Sequence, residues 1–440
     1  MVRAEPGVIA PGRAGEARGR RPGPVLGIAA AVFVVALGAY LADVLMHPLP
    51  DMLTWFDLTV YNHAGTLARQ SPGTLYTWQL KPGIKFTYTP FAALVFAFGS
   101  LLPWTVLTRL MTVVSIAALL TTIWLTLRAL GWRGQRLAVA LLGIGAVALW
   151  TEPVQRGLHL GQVELLLMVL IVWDLSQDDR HWWKGAGIGV AAGIKLIPLI
   201  YIPYLVLSGK FRQAAVATGV FLGTILIGFP FLPGASSKYW LTGYFLRPRN
   251  VGAVGSLLNQ SLLAMLTRAD GSERAANPTW LALAAVIAVL GVIAAAMLDR
   301  RGRPVAGWVT CALTGLLVSP ISWDHHWIWV VPVIVVLVDA AVRSRGAARW
   351  TFGVLAAGVA AVYGGWPYLN GQMEGVPHGL IGFFIGPHPR HEQYYLHGVQ
   401  ILSWNLFAIA GLVMFAFALV AAARAWRARR APADGDAAVT

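Results

Sequence analysis

The chain has 440 residues, 57% of them hydrophobic and only 12% charged, with a net charge of +15 and a single cysteine. A composition this apolar excludes an ordinary soluble domain, and apolar runs long enough to cross a bilayer recur along most of the chain. One thiol excludes an intrachain disulfide and a thiolate metal centre; the positive charges gather at span ends and tails, as membrane orientation requires, so nucleic acid is not the partner.

Residues 1–24 are polar and carry Arg3, Arg13, Arg18, Arg20 and Arg21. This places them in the cytoplasm and makes the first span, near 25–46, a retained anchor rather than a cleaved signal. The loop 48–88 is then extracytoplasmic. Between 89 and 209, apolar stretches near 91–103, 105–127, 137–151, 162–174 and 185–208 admit two traces. Five plain crossings leave Arg128, Arg133 and Arg136 outside. The second trace makes 91–103 a shallow dip and 185–208 a broken hairpin hinged at Lys195-Leu196-Ile197-Pro198. It keeps those arginines inside and is preferred, since irregular backbone at membrane depth is allowed where protein buries it.

Further spans near 214–233, 279–298, 305–321, 327–342, 350–367 and 399–423 alternate, with basic turns at Lys210-Phe211-Arg212, Asp299 to Arg303 and Arg343-Ser344-Arg345. The tail 424–440, with Arg424, Arg427, Arg429 and Arg430, is cytoplasmic. Continuous rather than alternating apolar runs exclude a membrane barrel. The predicted fold is an all-α polytopic membrane protein of about ten to thirteen helices, with residues 25–423 forming one transmembrane domain. No internal repeat is evident, which argues against transporters built from inverted repeats.

Asp57 is the first candidate for chemistry. A loop carboxylate beside a membrane can be a solvated residue or a helix cap. Here Trp55, Phe56 and Tyr61 give it a partly dry setting, and His63 lies close in sequence. Such a carboxylate can hold a raised proton affinity and act as a general base toward a sugar hydroxyl. Next comes the segment Lys238 to Asn250, whose basic residues fall outside, against the usual bias. Lys238, Arg247 or Arg249 could grip a lipid-linked phosphate, because guanidinium and ammonium groups suit its oxygens. Asn259-Gln260-Ser261 could hydrogen-bond sugar hydroxyls or backbone.

The run Ser319 to Trp327 holds Trp323, Asp324, His325 and His326 at the outer end of a span. Adjacent histidines point in different directions on a helix and no second cluster has ligand spacing, so a phosphate or acceptor contact is preferred to a metal site. Lys195 is too deep to snorkel easily on the hairpin trace, and could reach a phosphate or pair with a carboxylate. Gln162 and Glu164 could line the same cavity, although Gln162 also fits helix packing. His378, His388, His391 and His397 read as histidines dispersed in a loop.

Together these pieces resemble the C-type superfamily of membrane glycosyltransferases. Within it, the chain resembles the polyprenol-phosphate-mannose-dependent α-1,2-mannosyltransferases of actinobacteria, above all those that elongate phosphatidylinositol mannosides. The matching segments are Phe56-Asp57-Leu58-Thr59-Val60-Tyr61, Phe86 to Leu94, Gly161-Gln162-Val163-Glu164, Gly193 to Pro198, Asn259-Gln260-Ser261 and Ser319 to Trp323 with its His pair. One departure is Glu164, where members often have Asn.

The resemblance implies inverting transfer of mannose from a polyprenyl-phosphate donor to a 2-hydroxyl of a lipid-anchored mannoside on the outer face of the plasma membrane. Asp57 would be the base, with His325 or His326 stabilising the leaving phosphate alongside Arg247, Arg249 and Lys195. A lipid phosphate carries less charge than a nucleotide diphosphate, so no metal or other cofactor is expected. The chain is expected to act as a monomer in contact with membrane lipid. Rival readings are a polyprenyl-phosphate-arabinose transferase, a lipomannan-branching mannosyltransferase, a lipid-A-type or protein glycosyltransferase, and, outside the class, a lipid flippase or transporter.

Overall fold

Pro24, Pro90, Pro278 and Pro304 each begin a helix, where the missing amide hydrogen costs nothing. The computed structural model describes residues 23–46 (side chains to 42), 55–81, 84–247, 252–271, 278–366, 378–381, 396 and 398–427. Arg249, His388, His391, His397, the loop 47–54 and most of both tails lie outside the described residues.

In chain order the helices are α1 (Pro24–Met46), α2 (Phe56–Gln70), α3 (Pro90–Gly99), α4 (Trp104–Ala129), α5 (Gly134–Leu149), α6 (Glu152–Leu160), α7 (Glu164–Leu175), α8 (Ala186–Ile194), α9 (Tyr201–Leu207) and α10 (Phe211–Phe231). The short α11 (Pro233–Ser236) and α12 (Leu262–Asp270) follow, then α13 (Pro278–Arg300), α14 (Pro304–Val318), α15 (Val330–Arg343), α16 (Gly346–Val362), α17 (Val399–Ser403) and α18 (Leu406–Arg427). One two-stranded antiparallel ribbon, Gln79–Lys81 with Ile84–Lys85, is the only sheet among the described residues.

Six helices are long and apolar enough to cross a membrane, and five shorter apolar ones accompany them. The expected ten to thirteen is reached only by counting both kinds. Val25, Ile28 and Val35 on α1, and Leu281, Val286 and Val289 on α13, point outward unpaired, as lipid-facing side chains do.

Contacts at helix ends resolve the middle of the chain. A Cβ on Gly23 would meet Gln135, so α1 and α5 start side by side. Arg343 donates to the Leu130 carbonyl (2.5 Å) and Trp132 to Asp339 (2.6 Å), which brings the end of α4 to the end of α15. Arg128, Arg133 and Arg136 therefore share an end with the start of α1. The five-crossing trace fails and the second trace holds.

The hairpin follows from its glycines. Gly185, Gly189 and Gly193 face Gln213, Ala217 with Val220, and Thr224 in turn, so α8 runs parallel to α10. Only three residues separate the end of α9 from the start of α10, so 186–207 enters and leaves at the same end, with Lys195 at its tip. Lys210 and Tyr204 both bond Asp299 (2.6 and 2.8 Å), tying that base to the end of α13. At ten residues α3 is about 15 Å long, half a hydrocarbon core of about 30 Å, and it does not cross. Thr89, which caps it, also bonds the Gly193 carbonyl near the hairpin tip.

A Cβ at Gly189 would lie 2.6 Å from the Ala217 carbonyl and 2.7 Å from Val220 Cβ. Gly189→Leu should therefore force α8 off α10 at a cost of about 1–3 kcal/mol. A lowered melting temperature of the detergent-solubilised protein is the expected result, and an unchanged one would show that the two helices are not in close contact.

Candidate active site

The site is built on an elbow. Helix α6 ends at Gly161 (φ 68°) in the left-handed region that favours glycine, and α7 departs after a bend of 116°. A side chain at Gly161 would sit 2.7 Å from Leu58 Cβ and 3.0 Å from the Trp55 ring. The start of α2 thus rests directly on the elbow, and Trp55 N donates to the His159 carbonyl (2.8 Å). Trp55 itself is left-handed (φ 61°), a costly state for a bulky residue that only over-determined surroundings maintain. Through this contact Asp57, in the first turn of α2, comes beside Gln162 and Glu164, which flank the first turn of α7.

Gln162 links Asp57 to a pair of tyrosines. Its Oε1 accepts from Tyr61 (2.7 Å) and Tyr88 (3.4 Å), and the two tyrosine hydroxyls lie 2.8 Å apart. That leaves the Gln162 amide hydrogens for Asp57, to which it is hydrogen-bonded. Asp57 is half-buried, and burial pushes its carboxyl up to about 6, against the pull of His325, Gln162 and Lys195. Behind Tyr88, the aromatic rings of Tyr76, Phe86, Tyr239 and Tyr244 pack together, and Tyr76 donates to the Tyr88 carbonyl (2.9 Å).

Opposite stands Lys195. Helix α8 stops there with extended backbone (φ −137°), and Pro198 has no amide hydrogen for the Ile194 carbonyl four residues back. Its ammonium pairs with Glu164 and lies 2.9 Å from His326 Nε2. If Lys195 donates to both, His326 carries its proton on Nδ1, an assignment made from the hydrogen-bond pattern. His325 is oriented differently: its Nδ1 meets Asp324 Oδ1 (3.1 Å), which also accepts from the His325 backbone amide (2.8 Å). Asp324 in turn faces Arg156 at 3.8 Å, and fully buried Glu152 lies within electrostatic reach of both. Among the described residues, His325 Nε2 and His326 Nδ1 are buried without a partner.

Glu164, His325 and His326 bring ligand atoms within 4.8 Å of one another, the one such trio among the described residues. Lys195 already bonds two of the three, so the donor set meets a resident cation and does not suit a metal.

The other predicted residues part company with this cluster. Asn259 donates to the Val254 and Pro320 carbonyls (2.9 and 3.1 Å) and accepts from Ser322 N. Gln260 donates to Leu257 and Trp404 carbonyls and accepts from Phe407 N. Both amides are spent on backbone, so these residues are braces rather than sugar contacts. They hold the strip 257–261 against 320–324, with an isolated bridge from Asn259 to Trp323, and thereby set the His turn. His63 stacks on Trp78 at 3.9 Å, outside the cluster. Lys238 lies over the Tyr244 ring at 6.0 Å and Arg247 is exposed, both on the aromatic rim. Trp323 is half-buried beside Gly252.

Tyr88, Arg156, Asp324 and Glu152 were not singled out as site residues. A signal was present for Asp324, which abuts the His pair, whereas Glu152 and Arg156 stand in a short polar segment between two apolar runs and gave none. Buried Arg268, which binds Asn405 and the Ser256 and Asn259 carbonyls, braces the same strip and was missed entirely.

Residues 86–320, more than half the chain, match glycosyltransferase family 87. The chain is 34% identical over 323 residues (72% of this chain, 74% of the relative) to a polyprenol-phosphate-mannose-dependent alpha-(1-2)-phosphatidylinositol pentamannoside mannosyltransferase of Mycobacterium tuberculosis. It is 31% identical to a protein of the same description from Mycolicibacterium smegmatis, over 80% of this chain and 82% of that one. A polyprenol-phosphate-mannose-dependent alpha-(1-2)-phosphatidylinositol mannoside mannosyltransferase of Mycobacterium tuberculosis is 29% identical over 63% of this chain and 67% of its own. No solved structure matches. The chain belongs to glycosyltransferase family 87 and is a membrane-embedded glycosyltransferase.

Proposed function

We propose that the enzyme transfers mannose from polyprenyl-phosphate-mannose to a 2-hydroxyl of a phosphatidylinositol mannoside, with inversion from β to α. The observation that carries this reading is the clustering of Asp57, to which no cation is bonded among the described residues, with Lys195 and two histidines. A base and a phosphate site are what glycosyl transfer from a lipid phosphate needs.

Asp57 takes the proton of the acceptor hydroxyl as its oxygen attacks the anomeric carbon on the face opposite phosphate. The bond from that carbon to the phosphate oxygen breaks, and its electron pair leaves on the polyprenyl phosphate. Lys195, His326 Nδ1 and His325 Nε2 meet the growing charge. Asp324, backed by Arg156, holds His325 in one tautomer, as a carboxylate does for a catalytic imidazole. Lys195 supplies the fixed positive charge that a metal would otherwise bring, so transfer needs no divalent ion. The phosphatidylinositol-mannoside names of the relatives favour this acceptor over the arabinose and lipomannan alternatives.

The outer face of the plasma membrane is supported by charge. The end opposite the cavity carries the turns with Arg128, Arg133, Lys210, Arg300, Arg303 and Arg343, and basic turns stay cytoplasmic. The enzyme acts as a monomer on membrane-borne substrates.

Asp57→Asn should lower turnover by about 10³-fold or more while leaving the melting temperature unchanged, since the general base is lost. Because the base works ionised and burial lifts its carboxyl to about 6, kcat/KM of the wild type should be level above that pH and fall about tenfold per unit below it. Near-normal turnover by Asp57→Asn with purified donor and acceptor would end this assignment. Asp324→Asn should cost about 10²–10⁴-fold in kcat with little change in either KM. Combined with His325→Ala it should cost no more than His325→Ala alone; additive losses would mean that Asp324 acts elsewhere. Excess chelator should leave the initial rate unchanged, and restoration of a lost rate by added Mg²⁺ or Mn²⁺ would contradict metal independence.

A further inference from the structure

The hydrogens shared by Tyr88, Tyr61 and Gln162 can be placed one by one. Tyr61 has a single hydroxyl hydrogen, and its 2.7 Å contact with Gln162 Oε1, an atom that only accepts, must use it. The 2.8 Å contact between the two hydroxyls therefore runs on the hydrogen of Tyr88, which also faces Oε1 at 3.4 Å. Turning the Gln162 amide over would set Oε1 against the Asp57 carboxylate, acceptor against acceptor, so its N–H groups lie on the Asp57 side. Every hydrogen in the series then points the same way: Tyr88 to Tyr61, Tyr61 to Gln162, Gln162 to Asp57.

The series is anchored along its length. Tyr61 is buried; its ring stacks on Phe96 at 4.5 Å and meets the Tyr88 ring edge-on at 5.2 Å. Gln162 is buried too, and its backbone N–H donates to the Gly157 carbonyl (2.8 Å) across the elbow. Tyr61 follows Asp57 by four residues on α2, so both side chains rise from one face of that helix. The amide that meets the carboxylate is thus fixed from the carboxylate's own helix.

We infer that Tyr88, Tyr61 and Gln162 are positioning residues for the base: they hold one oxygen of Asp57 and leave the other aimed at the acceptor hydroxyl. The inference rests on Asp57 acting as the base in the reaction proposed above. It gives Tyr61 and Gln162 a task other than direct sugar contact, since the Tyr61 hydrogen and Gln162 Oε1 are both used within the protein. Hydrogen bonds donated in one direction strengthen one another away from water, and the last of this series ends on a charged acceptor.

Other groups act on Asp57 from the elements around it: Glu164 of α7, Lys195 at the end of α8 and His325 in the turn before α15. On α6, Arg156 faces Asp324 and the His159 ring faces Tyr40 at 5.9 Å, while His63 of α2 stacks on Trp78. Against that background the Gln162 bond favours the ionised carboxyl. Its loss raises the proton affinity of Asp57 and moves the acid limb of kcat/KM to higher pH.

Gln162→Glu separates positioning from packing. A glutamate still accepts from both tyrosines, but it has no N–H groups to give and repels Asp57. Gln162→Glu and Gln162→Met should each lower kcat about 10- to 100-fold, with both KM values within about twofold of the wild type. The acid limb should move up by about one pH unit in Gln162→Met and further in Gln162→Glu. Tyr61→Phe should cost about tenfold in the wild type and less than about twofold in Gln162→Met, because Tyr61 acts through the amide. The protonated-carboxyl infrared band that disappears in Asp57→Asn gives a readout without substrates, and its titration in the full-length protein should shift as the acid limb does.

A Gln162→Glu protein with the wild-type melting temperature, rate and acid limb overturns the inference. So does a Tyr61→Phe loss as large in Gln162→Met as in the wild type. A protein whose Asp57 band shifts in Gln162→Met, yet whose wild type transfers no mannose, would leave the positioning series standing and remove the mannosyltransferase reading instead.

Discussion

Everything in the cavity depends on a positive charge that a membrane interior would not tolerate alone. Taking an ion out of water costs several kcal/mol even after relaxation, so the Lys195 ammonium has a place only where acceptors are already fixed. Glu164 and His326 are those acceptors. Each of the three stands at a break in regular helix: Lys195 where α8 ends, Glu164 just after the elbow at Gly161, His326 in the 3₁₀ turn before α15. A helix that gives up hydrogen bonds inside a bilayer must have its backbone satisfied by protein, and here it is. The strip 257–261 covers the backbone of 320–324, while Thr89 caps α3 and reaches the Gly193 carbonyl at the hairpin tip.

This arrangement explains why so many braces surround so few reactive groups. Asn259, Gln260 and Arg268 touch no member of the Lys195 cluster, yet they hold the backbone from which the two histidines project. Buried polar networks are costly unless every member is paired, and Arg268 shows the rule, with its guanidinium distributed over the Asn405 side chain and the Gly255, Ser256 and Asn259 carbonyls. The histidines then differ by their neighbours. His325 leans on a carboxylate and His326 on an ammonium, so two adjacent residues of one type present different nitrogens to the same space.

Much of this was legible in the sequence, and the reasons for the rest are physical. Span positions followed from apolar length, and the basic turns chose between the two traces, because arginines at the end of α4 are expensive outside. The hairpin at Lys195 was readable from Lys and Pro standing close together in an apolar run. Residue roles were harder. Asn259 and Gln260 could read as sugar contacts or as backbone braces, because amides serve equally well for both, and only the partner tells which. Arg247 drew attention as a misplaced charge, yet it is exposed on the rim, whereas Lys195 joins the cluster. Tyr88, 27 positions beyond Tyr61, meets it only because α2 and α3 lie side by side, with Gly65 allowing the close approach.

The two carboxylates nearest the cavity illustrate how neighbours divide one chemistry into two jobs. Glu164 is committed: its Oε1 pairs with the Lys195 ammonium and approaches His326, so accepting a substrate proton there would break the pair that keeps Lys195 in place. Among the described residues Asp57 receives the neutral amide of Gln162, and the positive groups His325 and Lys195 act on it through space. Its lone pairs remain open to a hydroxyl, and burial raises their proton affinity without removing the charge at neutral pH. A donor phosphate arriving at Lys195 would compete with Glu164 for the same ammonium hydrogens. It would bring a negative charge nearer to Asp57 and strengthen that carboxylate as a base when both substrates are present. The separation of the committed carboxylate from the open one would therefore couple donor binding to acceptor activation, with Lys195 bonded to Glu164 and within electrostatic reach of Asp57.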